Sequence, residues 1–159
     1  MLLWLQDLSL IYCRCDMIMN IADSVSVTKA TQEQFDYYVT HPSRSKAIVE
    51  GNGGIVPEHT EESYIATLYK YSLMFTLDEL TPGVYETHIC CLPDSIKASR
   101  ALVLGGMQWL MTEHNPNTKG IFTSCPKGKI SNFLKKLGFE HIDTIGAKLY
   151  FSYVFKNIN

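Results

Sequence analysis

The run from Val84 to Ser124 limits the possible folds most. Val84 to Leu92 reads as a strand, reached through the turn Thr81-Pro82-Gly83. After Pro93 the period changes. Ala98, Ala101, Leu102, Leu104, Gly105, Trp109 and Leu110 recur near helical spacing, predicting a helix to about His114 that ends at Asn115-Pro116. Gly120 to Ser124 is a strand again. Strand, helix and strand in that order predict one mixed sheet, with Val84–Leu92 central and Gly120–Ser124 parallel to it.

The flanking segments fit that frame. Ile130, Phe133, Leu134 and Leu137 mark a second helix, stopped by Gly138 as the left-handed cap residue. Phe139–Ile145 and Leu149–Phe155 finish the chain as strands. Upstream, Ser24–Thr28 alternates like a short strand, and Thr31 with Gln34 makes a capping box for a helix from about Thr31 to Thr40. Ala47, Ile48 and Val49 suit a helical turn, and Gly51 to Gly54 must be loop. Ser63–Tyr71 and Ser72–Glu79 read as two strands. The fold class is therefore α/β (α+β), a mixed central sheet of about six to seven strands flanked by helices.

Charge and cysteine usage narrow the function classes. Lys plus Arg number 14 against 16 Asp plus Glu, so the net charge of −2 lacks the basic footprint of a duplex-DNA partner. No apolar run reaches the roughly 18 residues of a membrane-spanning helix. The 5 cysteines, Cys13, Cys15, Cys90, Cys91 and Cys125, are odd in number and include no C-x-x-C pair. That pattern argues against a disulfide framework and points to a reducing, cytoplasmic setting without a metal centre. His88 precedes Cys90 and Cys91, but adjacent strand residues point to opposite faces and do not converge as ligands.

Met1 to Asp16 is apolar, yet Asp7 lies within it and no basic stretch precedes it, so a secretory signal is rejected. Two readings stay open. Leu2, Leu5, Leu8 and Ile11 suit one face of a short amphipathic helix, or the stretch lies outside the domain with Met17 or Met19 as the start. On the second reading residues 1–18 are an extension and 19–159 a single domain.

VYETHICCLPDSIKASRALVLGGMQWLM, then KGIFTSC, then SNFLKKLGFEHI, resembles the cofactor-binding core of the GNAT N-acetyltransferases. The likeness is greatest to short phage and prophage members, and it spans about Thr28 to Phe155. The resemblance implies that Val84–Leu92 splays from its neighbour. The main chain of Ile89, Cys90, Cys91 and Leu92 would then pair with the pantetheine arm of acetyl-CoA. It also implies that the turn after it, from Asp94 to Arg100, holds the pyrophosphate through backbone N–H groups, as a helix N-terminus does. By position the binding residues there are Ser95, Lys97, Ala98, Ser99 and Arg100.

Two departures from the family pattern stand out. Pro93 to Arg100 contains no glycine, where the family has Arg or Gln, two residues, Gly, one residue, and Gly or Ala. A loop wrapping a phosphate gains from left-handed positions that only glycine adopts freely. Lys97, Ser95, Ser99 and Arg100 either compensate with charge and hydroxyl donors or form a solvated helix start. Second, many members place a Tyr four residues before the helix-ending glycine to protonate the departing thiolate. Here that residue is Leu134, beside Phe133, and neither donates a proton.

Glu86 and His88 are the candidate catalytic pair. At period two they share a strand face, and the resemblance implies a carboxylate on this strand as the base for the attacking amine. The alternative is that both are structural. Cys125 is either near the cofactor cleft or a small buried hydrophobe. Two functions follow from the resemblance. One is acetyl transfer from acetyl-CoA to an amine acceptor; the other is a catalytically inert fold used as a phage structural or interaction protein, with a virion or host protein as partner. Neither reading calls for nucleic acid or membrane.

Overall fold

The computed structural model describes residues 24–156. The proposed N-terminal helix, the alternative starts at Met17 and Met19, and Cys13 and Cys15 all lie outside those residues. β1 (Ser26–Lys29), β2 (Ser63–Leu68), β3 (Tyr71–Thr81) and β4 (Val84–Cys91) form an antiparallel meander. β4 then lies parallel to β5 (Gly120–Pro126), β5 pairs antiparallel with β7 (Lys148–Val154), and β7 with β6 (Glu140–Ile145). The sheet has 7 strands in the order β1-β2-β3-β4-β5-β7-β6. β4 is central and β5 runs parallel to it, as the strand–helix–strand order predicts.

Helices cover both faces. α1 (Gln32–Thr40) starts on the expected capping box: Thr31 Oγ1 accepts the Gln34 N–H at 3.2 Å, and Gln34 Oε1 accepts the Thr31 N–H at 2.9 Å. Its buried Phe35, Tyr38 and Val39 pack on Ile65, Met74, Cys90 and Leu92, joined by Ile48 of α2 (Ser45–Gly51). The opposite face holds the larger core. There Leu102, Val103 and Met107 of α3 (Ser99–Trp109), with Leu134 of α4 (Lys129–Lys136), meet Leu73, Phe75, Tyr85, Ile121 and Phe151. Burying each such side chain contributes about 1.5–3 kcal/mol relative to exposure. α4 ends as foreseen: Gly138 has φ +97°, and the Phe139 N–H donates to the Leu134 carbonyl at 3.1 Å.

Several boundaries differ from the sequence reading, three of them for a reason the structure shows. β2 stops at Leu68 and β3 starts at Tyr71, because Tyr69 turns the chain with φ +55°. No glycine or asparagine signals that turn. The long helix is tripartite: a 3₁₀ turn over Pro93–Ala98, then α3, then a wider π turn over Leu110–His114 in which the Asn115 N–H reaches back to the Leu110 carbonyl at 2.8 Å. β5 runs to Pro126 rather than Ser124, because β7 pairs along its whole length.

Gly83 fastens the start of β4 to the start of β5. Its carbonyl accepts the Lys119 N–H at 2.7 Å and the Gly120 N–H at 3.3 Å. Its φ is +80°, and a Cβ there would stand 2.6 Å from the Asn117 carbonyl oxygen. Gly83→Ala is therefore expected to destabilise the domain by about 1–3 kcal/mol, lowering the thermal midpoint by roughly 3–10 °C in a calorimetric scan.

Candidate active site

The parallel pairing of β4 with β5 is brief. Val84, Tyr85 and Glu86 partner Gly120, Ile121 and Phe122, and there the ladder ends. Both strands continue, β4 held by β3 out to Cys91 and β5 held by β7 out to Pro126. Beyond Glu86 the β5-facing edge of β4 has no strand partner among the described residues. A wedge opens there, and β4 splays from its neighbour as the resemblance implied.

Beneath the wedge, on the α3 side, lies an apolar cavity of about 30 Å³, lined among others by Thr87, Ile89, Ile121, Val103, Gly106 and Phe139. It has room for a water- or methyl-sized group. The wedge, not the cavity, is therefore the place for an extended ligand. An unpaired strand edge offers such a ligand a row of main-chain donors and acceptors.

The four residues expected to offer main chain differ in what they present. Ile89 is exposed at the wedge, whereas Cys90 is 8% exposed with its side chain toward α1. Burial pushes the Cys90 thiol up to about 11, so it is a neutral thiol near pH 7. The Cys91 carbonyl accepts the Arg44 Nε–H at 2.9 Å, and the Leu92 carbonyl accepts the Ser95 N–H at 3.0 Å. The unpartnered edge is thus centred on Thr87–Cys90, one turn of the pleat earlier than the Ile89–Leu92 stretch expected.

The glycine-free segment is ordered in a way the sequence does not show. As a 3₁₀ turn it engages its own amides in i→i+3 bonds, from Ser95 N–H to Leu92 up to Ser99 N–H to the Ile96 carbonyl. Ser95 is buried and its hydroxyl accepts the Ser72 N–H at 3.1 Å. Ala98 packs against the larger core. Lys97 sits with Nζ 5.1 Å above the Tyr71 ring, and Lys70 is 5.5 Å from the same ring. The Lys97 ammonium beside it lowers the Tyr71 phenol from its ordinary value, and the same contact raises Lys97. Arg100 is exposed and meets no carboxylate among the described residues. Lys97 and Arg100 are the two cations that this segment presents, and Ser95 belongs to the fold's internal bonding.

Glu86 and His88 do share one face, the α1–α2 side of the sheet, with His88 Nε2 3.7 Å from Glu86 Oε1. Their side chains are 38% and 58% exposed, at the point where the wedge begins. The pairing register adds neighbours that sequence reasoning missed. Asp78 of β3 stands opposite Glu86, and Thr76 opposite His88. Across the wedge the same face carries Phe122 and Ser124 of β5, with Ser152 and Tyr150 of β7 beside them. Tyr150 is half-buried, a phenol on the sheet face opposite the one that Leu134 packs on. Only the strand order places it there; nothing in the local sequence around Tyr150 signals it.

Leu134 and Cys125 are both core residues. Leu134 is 3% exposed and packs in the larger cluster. Cys125 faces α3 and α4, and burial pushes its thiol up from the usual range, so it acts as a small hydrophobe.

No family profile and no curated protein matches this chain. Solved structures do. A GNAT-family acetyltransferase from Bacillus anthracis superposes with a TM-score of 0.61 at 10% identity, covering 82% of this chain and 95% of that one. The N-acetyltransferase PseH of Campylobacter jejuni, solved in complex with acetyl coenzyme A, gives 0.58 at 6% identity over 83% and 99% of the two chains. A spermidine N-acetyltransferase from Vibrio cholerae gives 0.59 at 8% identity over 82% and 94%. At such identities the likeness is one of fold, and the mixed sheet that opens between its fourth and fifth strands is the GNAT acetyltransferase fold.

Proposed function

We propose that this chain transfers an acetyl group from acetyl-CoA to an amine. The observation that supports this most is the wedge. β4 leaves β5 after Glu86, exposes an unpaired strand edge along Thr87–Cys90, and sets a carboxylate and an imidazole at the closed end of the wedge. The edge suits the amide groups of a pantetheine arm, which need alternating donors and acceptors at strand spacing. Lys97 and Arg100 supply positive charge for the phosphates at the same end of the sheet, where the 3₁₀ turn has taken up the loop amides.

In the reaction Glu86 takes a proton from the acceptor ammonium, directly or through water, and the freed amine nitrogen then attacks the thioester carbonyl. The new C–N bond forms, the C–S bond breaks, and the second proton shed by the nitrogen passes through water to the leaving thiolate. His88, 3.7 Å from the Glu86 carboxylate, orients that carboxylate or relays its proton outward. Asp78 beside Glu86 favours an acceptor that arrives as a cation.

Two observations favour the second reading, an inert acetyltransferase fold used for protein interaction. The loop amides are engaged within the 3₁₀ turn, and the position of the usual phenol is a buried leucine. Calorimetric titration of acetyl-CoA into the purified protein decides between them. Saturable binding in the micromolar range is expected; no heat at millimolar ligand would leave the inert reading in its place.

A further inference from the structure

The short helix α2 crosses the open end of the wedge and is tied to both of its walls. At its start, the Arg44 Nε–H donates to the carbonyl of Cys91, the last residue of β4, at 2.9 Å. At its end, the Lys148 Nζ donates to the carbonyl of Gly51 at 2.9 Å, and Lys148 is the first residue of β7, opposite Pro126 at the end of β5. With 7 residues α2 is about 10 Å long, and the long Arg44 and Lys148 side chains carry its reach to the parted ends of β4 and β7. Below it, among the described residues, the two halves of the sheet pair through the rows Val84–Gly120, Tyr85–Ile121 and Glu86–Phe122, next to the Gly83 fastening.

Little else fixes this helix. None of its residues is buried, its N-cap has no side-chain bond, and Ile48 makes its one partial contact with the smaller core. Beyond its C-terminus Gly53 and Gly54 take positive φ in open space. A segment with so few buried contacts opens at low free-energy cost, and its end bonds decide how often it does so.

We propose that α2 is a strap over the acetyl-CoA cleft, and that Arg44 and Lys148 are positioning residues whose bonds to Cys91 and Gly51 set how readily the cleft opens. This rests on the acetyl-CoA reading given above. Releasing the strap admits and releases the ligand faster without altering the groups that bind it, so both rates rise together and affinity changes little.

The test uses the full chain, with acetyl-CoA as probe, in Lys148→Met and Arg44→Gln. Lys148→Met keeps an apolar stem of similar length and removes the donor. Hydrogen exchange at residues 45–51 is expected to quicken about five- to twenty-fold in either variant, with β2 and β3 unchanged. Stopped-flow association and dissociation of acetyl-CoA are each expected to rise about three- to ten-fold, with Kd within about twofold of wild type. Unchanged exchange, or faster exchange with unchanged rates, overturns the strap while wild-type binding keeps the acetyl-CoA reading intact. Absence of binding in wild-type protein overturns that reading and the strap's role in it, and it is seen before any variant is compared.

Discussion

Replacing Glu86 by Gln should slow acetyl transfer by about two to four orders of magnitude, the usual range for loss of a general base. The amide keeps the size and a hydrogen-bonding oxygen, but it does not take the proton that the acceptor ammonium must lose before attack. Affinity for acetyl-CoA should stay within about twofold, because Glu86 stands at the closed end of the wedge and not on the unpaired edge or beside the phosphate-end cations. The measurement is thiol release from acetyl-CoA with the best acceptor found in a screen of primary amines and polyamines, alongside calorimetric Kd values. A variant with wild-type turnover would make Glu86 a structural carboxylate. A variant that loses binding as well would place it on the cosubstrate.

The phosphate end carries the second large effect. With no glycine between Pro93 and Arg100 and the amides engaged in the 3₁₀ turn, side-chain charge must hold the pyrophosphate. Lys97→Ala combined with Arg100→Ala should then weaken acetyl-CoA by about two orders of magnitude or more. The loss should shrink as salt rises, since both groups are solvent-exposed and screened. Lys97 sits above the Tyr71 ring, a contact that Lys70 also makes, so the single Lys97→Ala variant should lose less than its half of the effect. Unchanged affinity in the double variant would return the segment to a plain helix start.

The two halves of the site differ in how visible they were beforehand. Period-two spacing alone puts Glu86 and His88 on one face, and a 3.7 Å approach follows directly from it. Asp78, Ser124 and Tyr150 join them only through inter-strand register: an irregularity between Glu79 and Thr81 interrupts the β3–β4 pairing that carries Asp78, and Ser124 meets Tyr150 through two strands that no hairpin connects. Ser95 is the opposite case. Its hydroxyl reads as a phosphate donor from the linear pattern, and the fold buries it where its oxygen accepts the Ser72 N–H of β3.

Local chemistry by itself determined the elements and their order: the Thr31–Gln34 capping box, the helix beyond Pro93, the Gly138 cap, and a parallel β4–β5 pair enforced by the crossover between them. The first three depend on contacts within a turn or two of chain, where residue type decides backbone conformation, and the last on the strand–helix–strand connection. The tertiary structure decided three further things: how soon β4 parts from β5, which side chains face the opening, and that α2 spans it from Arg44 to Lys148. Each of these joins residues far apart in the chain, and their positions are set by how the two cores pack against the twisted sheet, which no local pattern encodes.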